Sequence, residues 1–277
     1  MAKKNIDEMS FLDHLEDLRW HLIRATLGVL IAAVLAFVFK RFIFDVIIFG
    51  PTNMSFPTYE GLCKMSQLIG INDTTFCADK FPFIIQNRNV AGQFSAHIWT
   101  SIYAGFIVGF PYVLYQLWSF ISPGLKNNER KNSRGFIVIA SLLFFTGVLF
   151  GYYIVTPLSI NFLANYTISE QIQNEFDVSS VIAIVRSSAI ASGLVFELPI
   201  VIYFLTKIGI VTPQFLKKYR KFALVIVLIL SAIITPPDIA SQVIVAIPIL
   251  LLYQISIYIS AIVVRNQKRK ENKVKHS

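Results

Sequence analysis

Six apolar runs, separated by basic or Pro- and Asn-rich segments, leave this sequence little choice of solvent. Five of them, at about 22–39, 94–121, 136–156, 178–206 and 239–264, approach or exceed the roughly 20 residues that a helix needs to cross a hydrocarbon core about 30 Å thick. The sixth, 222–234, reaches only about 20 Å. Inside lipid every backbone N–H and C=O must be paired locally, so such runs fold as helices. The expected fold class is therefore an all-α integral membrane protein: one domain of six transmembrane helices over 1–264, followed by a basic tail, 265–277. Composition agrees, with 55% of the 277 residues hydrophobic and only 15% charged.

Charge then orients the chain. A net charge of +9 would suggest nucleic acid in a soluble protein, but here the basic residues lie between apolar runs, so topology accounts for them and no nucleic-acid partner is expected. Six spans put both termini on one side. Nineteen of the 25 Lys and Arg residues fall on that side, five lie in the long segment 40–92, and Arg186 lies within a span. The positive-inside rule places both termini of this multi-pass protein in the cytoplasm. Lys40 and Arg41, at the far end of the first span, run against the local trend. The first apolar run lacks a small-residue cleavage site and is expected to stay as an anchor.

In chain order, Ser10–Leu22 places Phe11, Leu15, Leu18 and Leu22 on one face and predicts an amphipathic interfacial helix capped by Ser10. Segment 40–92 is too polar and too broken by proline to span anything, so it is one large outer loop, its opening FIFDVIIF forming a short surface helix. Both cysteines, Cys63 and Cys77, fall there, on the oxidising side, where a disulfide is expected over the alternative of two free thiols. Pro111 predicts a kink in the second span. Tyr152 and Tyr153 read as interfacial anchors ending the third, with Pro157–Asp177 a loop beyond them. In the turn before the last span, Thr235 is the expected N-cap and Pro236 the first helical residue. The tail RNQKRKENKVK is expected to be unstructured.

The fourth span carries Glu197 about two-thirds of the way along, two residues before Pro199. A central acidic residue costs about 3 kcal/mol on insertion scales, so it must be protonated, paired or facing a wet cavity. Arg186 lies roughly 16 Å away along a helix, too far to pair with it, and reads as snorkelling to the interface. Catalytic patterns are missing: His14, His21, His97 and His276 are not spaced as a metal set, and there is no Gly-rich phosphate loop and no GxSxG. No enzyme, metal or cofactor is expected, and His14 and His21 read as solvated or interfacial.

Four blocks occur in order among the spans: HLEDLR, PYVLYQLWSFISPGLKNNERK, FELP and TPPDIASQ. Together they resemble the TatC family, the polytopic receptor subunit of the twin-arginine protein translocase. The resemblance covers most of the chain and departs in 52–88, which is enlarged, and in the tail. It implies a cytoplasmic surface that recognises the paired arginines of export signals through two acids. One is Glu129; the other aligns with Asp17 where the family usually has glutamate, with Glu16 and Arg19 in the same motif. Phe120 matches a family aromatic near that surface, and Pro51, Glu197, Asp238 and Gln242 match positions in the outer loops and the concave membrane face. The implied partners are twin-arginine signal peptides, single-span TatA- and TatB-type subunits, the lipid bilayer and further copies of the chain. A guanidinium binds a carboxylate bidentately, so two acids held apart suit two adjacent arginines. From the residues alone, Asp17 reads equally as a solvated helix position and Glu129 as a local ion pair with Arg130 or Lys131. A proton-coupled solute carrier cycling a proton on Glu197 is the alternative function, although the two halves show no internal repeat.

Overall fold

The computed structural model describes residues 11–69, 77–121, 133–169, 171–235 and 238–275. Helix α1 (Phe11–Val38) leads into a π-helical turn (Phe42–Ile48), a 3₁₀ turn (Gly50–Thr52), α2 (Pro57–Ile69) and strand β1 (Phe83–Gln86). Helix α3 (Gly92–Ile121) follows, then α4 (Ser133–Phe150), which runs through a π turn (Gly151–Val155) into α5 (Thr156–Asn165). Strand β2 (Asn174–Asp177) pairs with β1 and precedes α6 (Val178–Phe196), α7 (Leu198–Lys207), the short α8 (Pro213–Lys218), α9 (Arg220–Ile234) and α10 (Ile239–Lys275). Among the described residues, five stretches are long and apolar enough to cross a membrane: Leu15–Val38, Gly92–Ile121, Gly135–Asn165, Val178–Lys207 and Ser241–Arg269. The sixth apolar helix, α9, has only 15 residues, a rise of about 22 Å. Ile31, Val34 and Val38 on α1 and Ile226, Ile229 and Ile233 on α9 are exposed, as befits faces that meet acyl chains rather than water. This is a helical multi-pass membrane protein.

Several boundaries differ from those read in the sequence. The amphipathic segment and the first span are one uninterrupted helix, because no Gly or Pro separates them before Gly28. Helix α3 continues through Pro111 without ending. The third span runs on to Asn165, nine residues past its expected end, so Pro157 lies within helix and not in a loop. A proline there deprives the carbonyl four residues earlier of its donor. Thr58 Oγ1 donates to that carbonyl, Tyr153 O, and Thr156 Oγ1 donates to Gly151 O at 2.9 Å. The basic tail is helical as far as Lys275, continuing α10, and Gln267 Nε2 donates to Lys207 O at 3.0 Å at the end of α7. The cap of α10 is Asp238, not Thr235: Asp238 Oδ2 accepts from Ser241 N at 2.8 Å, whereas Thr235 Oγ1 donates back to Ser231 O.

The chain divides into two compact units, one of Met1–Phe49, Asn87–Phe145 and Asp177–Ile182, the other of Gly50–Gln86, Thr146–Phe176 and Ala183–Ser277. In the first, α1 and α3 lie against each other along their lengths. Small residues allow it: a Cβ on Gly105 would stand 2.6 Å from Ala33 N and 2.7 Å from both Ala33 Cα and Val29 O, backbone that cannot give way. Phe110 stacks on Phe144 in the same unit. In the second, Val155, Val227, Val245, Ala246 and Ile249 form a buried apolar cluster, against which Val195 and Leu198 pack. Gly147 brings its own helix equally close to α6, since its Cβ would lie 2.6 Å from Ser192 O.

Substituting Gly105→Ala is expected to cost about 1–3 kcal/mol through overpacking, seen as a lower thermal midpoint in detergent. Gly61→Ala, in the exposed α2 with open space around the added methyl, is the control and is expected to be neutral or stabilising by up to about 1 kcal/mol.

Candidate functional site

The first turns of α1 carry the acidic motif. Glu16 and Asp17 are both exposed, but they are not equivalent. Glu16 Oε2 accepts from Arg19 Nη1 at 3.1 Å across one helical turn, and the Arg19 guanidinium also lies 5.6 Å from the Trp20 ring. Asp17, about 100° further round the helix, has no hydrogen bond or ion pair to any described residue. One turn on, His21 Nδ1 donates to Gln116 Oε1 of α3 at 2.8 Å, and its ring sits 6.3 Å from Phe120. Gln116 is 6% exposed. The structure thus brings Glu16, Arg19 and His21 to one end of α1, with Phe120 and Gln116 on the last turns of α3 beside them. Glu129 lies outside the described residues.

His21 is half-buried, and a buried amide holds its ring. The only sequence signal was Gln116 inside an apolar run, a polar group that has to find a partner. A shallow apolar groove of about 440 Å³ starts beside Arg19 and runs along α1 past Leu15, Leu22, Ile23 and Leu27.

Glu197 stands at a break. Its amide donates to Leu194 O at 3.1 Å, a tightened turn that ends α6, and its own carbonyl accepts from Ile200 N and Val201 N, which starts α7. Pro199 explains the break, because a proline cannot donate to Val195 O. Glu197 is 8% exposed, and its flanking Val195 and Leu198 pack into the α9–α10 cluster. Its Oε1 is buried with no hydrogen bond from any described residue. Arg186 lies more than two turns before it in α6, in the half-buried range. Gln242 Nε2 donates to Leu228 O at 3.0 Å, linking the first turn of α10 to α9, so both Gln242 and Asp238 spend polar groups within the fold.

The segment between α1 and α3 is latched rather than loose. Tyr59 is fully buried, its hydroxyl 2.9 Å from Pro51 O and 3.0 Å from Pro157 O, so one proton is shared between two carbonyls. Burial pushes this phenol well above its ordinary range. Phe81 meets the Tyr59 ring edge-on, and Phe81, Phe83 and Phe176 continue the aromatic row into the two-stranded sheet. Cys63 and Cys77 are joined by a disulfide with Cα atoms 5.1 Å apart.

These placements meet a wider likeness. The family model described as "Sec-independent protein translocase protein (TatC)" matches residues 13–248. The chain belongs to the TatC family. It is 44% identical to the TatC of Blattabacterium sp. subsp. Periplaneta americana (strain BPLAN), over 93% of this chain and 97% of the relative. It is 35% identical to the TatC of Aquifex aeolicus (strain VF5), over 94% and 98%. A crystal structure of the twin arginine translocase receptor TatC superposes with a TM-score of 0.66 at 31% identity, covering 91% of this chain and 99% of that one. A second, in the detergent DDM, gives 0.68 at 33%, covering 89% and 99%. Translocation therefore displaces the solute-carrier reading of Glu197: as a TatC protein, this chain is a component of a Sec-independent protein translocase.

Two substitutions separate structural from functional roles. Tyr59→Phe leaves two buried carbonyls without their shared donor and should cost about 1–3 kcal/mol in thermal unfolding, with the disulfide intact. Glu197→Leu removes an unpartnered buried carboxyl oxygen and is expected to leave the thermal midpoint unchanged or higher. A fall in export activity alongside that gain, with Glu197→Gln less impaired, would mark a polar group kept for function.

Proposed function

We propose that this TatC protein is the signal receptor of its translocase. In this reading it sits in the bacterial cytoplasmic membrane with both termini in the cytoplasm, and recognises paired-arginine signal peptides of folded proteins at the α1–α3 end. It works by binding, not by catalysis. Asp17 supplies one acid and Glu129 the other, and the exposure of Asp17, with no partner among the described residues, carries the assignment. Glu16 is already neutralised by Arg19, so an incoming guanidinium would have to displace an intramolecular partner to reach it. Asp17 has no such competitor among the described residues, which offsets its shorter side chain relative to the glutamate usual in the family. His21 and Gln116 are positioning residues that hold the first turns of α1 against Phe120. The groove from Leu15 to Leu27, beginning beside these charges, suits the apolar segment that follows the arginines better than the buried Glu197 does. Assembly with single-span TatA- and TatB-type subunits and with further copies uses the exposed apolar helix faces.

Binding of an Arg-Arg signal peptide and of its Lys-Lys counterpart to the purified protein tests this. Asp17→Ala and Glu129→Ala are each expected to weaken the Arg-Arg peptide roughly ten- to a hundredfold, the loss of a charge-assisted contact of about 1.5–3 kcal/mol, with a smaller effect on the Lys-Lys peptide. Glu16→Ala is expected to stay within about threefold of the parent, the size of a surface ion-pair effect. A larger loss for Glu16→Ala than for Asp17→Ala would exchange the two roles.

A further inference from the structure

The first unit contains a second charged site, at the opposite end of α1 from the acidic motif. Lys40 and Arg41 line a cavity of about 480 Å³ together with Phe44, Asp45, Gln93 and His97. That volume falls within the ~300–1,000 Å³ range of small-molecule sites. A local change of helix type produces it. Over Phe42–Ile48 the backbone is π-helical, with Phe49 N donating to Phe44 O at 2.9 Å, five residues back. The wider turn brings Lys40, Asp45 and Phe44 round to one side, and such π segments recur at functional sites. The wall is made firm by His97: its ring stacks on Phe37 at 3.9 Å, meets Phe44 edge-on, and its Nε2 donates to Phe37 O at 3.1 Å.

The charges are of both signs, and they do not neutralise one another. Among the described residues neither Lys40 nor Arg41 lies within ion-pair distance of Asp45 or of any other carboxylate. Two cations and one carboxylate around a single cavity thus remain available to a ligand. The cations are also where charge statistics disfavour them, beside the end of a span on the side poor in Lys and Arg. Phe94, 66% exposed, forms an apolar rim, and the last turns of α1 expose Leu35 and Val38 to lipid.

We propose that this cavity binds the zwitterionic phosphoethanolamine headgroup of a membrane lipid. Lys40 and Arg41 take the phosphate, Asp45 takes the primary ammonium, and the acyl chains leave across Phe94 along α1. A phosphatidylglycerol headgroup or a free phosphate satisfies the two cations but brings no cation to Asp45. A choline headgroup offers Asp45 no N–H donor. With the termini in the cytoplasm, the orientation proposed above, the site lies in the outer leaflet.

Native mass spectrometry of the purified full chain reads occupancy whatever the orientation or export activity, so the site is tested separately from the receptor role. Phosphatidylethanolamine, phosphatidylglycerol, phosphatidylcholine and inorganic phosphate are added in separate arms. The parent should retain phosphatidylethanolamine about tenfold more strongly than either other lipid, one charge-assisted contact's worth, and excess phosphate should not strip it off. The double variant Lys40→Gln/Arg41→Gln should lose about tenfold in retention, Arg41→Lys much less, and Asp45→Asn should abolish the advantage over phosphatidylglycerol. These side chains are exposed, so the fold is not at stake; Lys64→Gln on α2 is the unaffected control. Equal retention by parent and double variant would mean ordinary annular lipid and overturn the site. A parent that prefers phosphatidylglycerol, or that releases its lipid to free phosphate, would overturn the zwitterionic assignment.

Discussion

In a hydrocarbon solvent a backbone carbonyl that loses its helical donor has no water to turn to, and the architecture of this chain follows from how each such loss is repaired. Pro157 removes the donor for Tyr153 O, and a side chain from the outer segment, Thr58, replaces it. Its own carbonyl then receives the Tyr59 hydroxyl, shared with Pro51 O. The outer segment is therefore held by the same groups that let a proline sit inside the third span. Pro199 is handled differently: the helix breaks at Glu197 and restarts, and the two halves stay together because Val195 and Leu198 are gripped by the α9–α10 cluster.

Close helix contact in the first unit has a different origin. Lipid tails are as apolar as leucine, so burial of apolar area gives little drive for association, and packing depends on how near two backbones can come. Gly105 against Ala33 and Gly28 against the Tyr112 ring provide that approach. It carries α1 and α3 in register to the end where His21 reaches Gln116 and Phe120. The acidic turn of α1 is thus presented from a closely packed helix pair.

The two ends of α1 carry contrasting charge. At one end, an intramolecular ion pair occupies Glu16 and leaves Asp17 open. At the other, Lys40, Arg41 and Asp45 surround one cavity without an ion pair among the described residues. In both places an unpaired charge at the membrane surface is the informative observation, since exposed ion pairs contribute little to stability.

Much was legible in the residues themselves. Apolar run length dictated a multi-pass helical protein, because only a helix satisfies its backbone alone in lipid. The shortness of α9 and the order of the four motif blocks needed nothing but counting. Helix ends were less legible. The extension of the third span to Asn165 and of α10 to Lys275 goes with hydrogen bonds between distant segments, Thr58 to Tyr153 O and Gln267 to Lys207 O, that no local pattern announces. The same holds for the sites. Sequence picked out Glu16, Asp17 and Glu197 as acids in notable places, but a one-dimensional spacing cannot say which carboxylate is already satisfied. Only the tertiary structure decided that His21 is held by a buried amide 95 residues away and that Glu197 is buried, because each depends on which helices pack against one another.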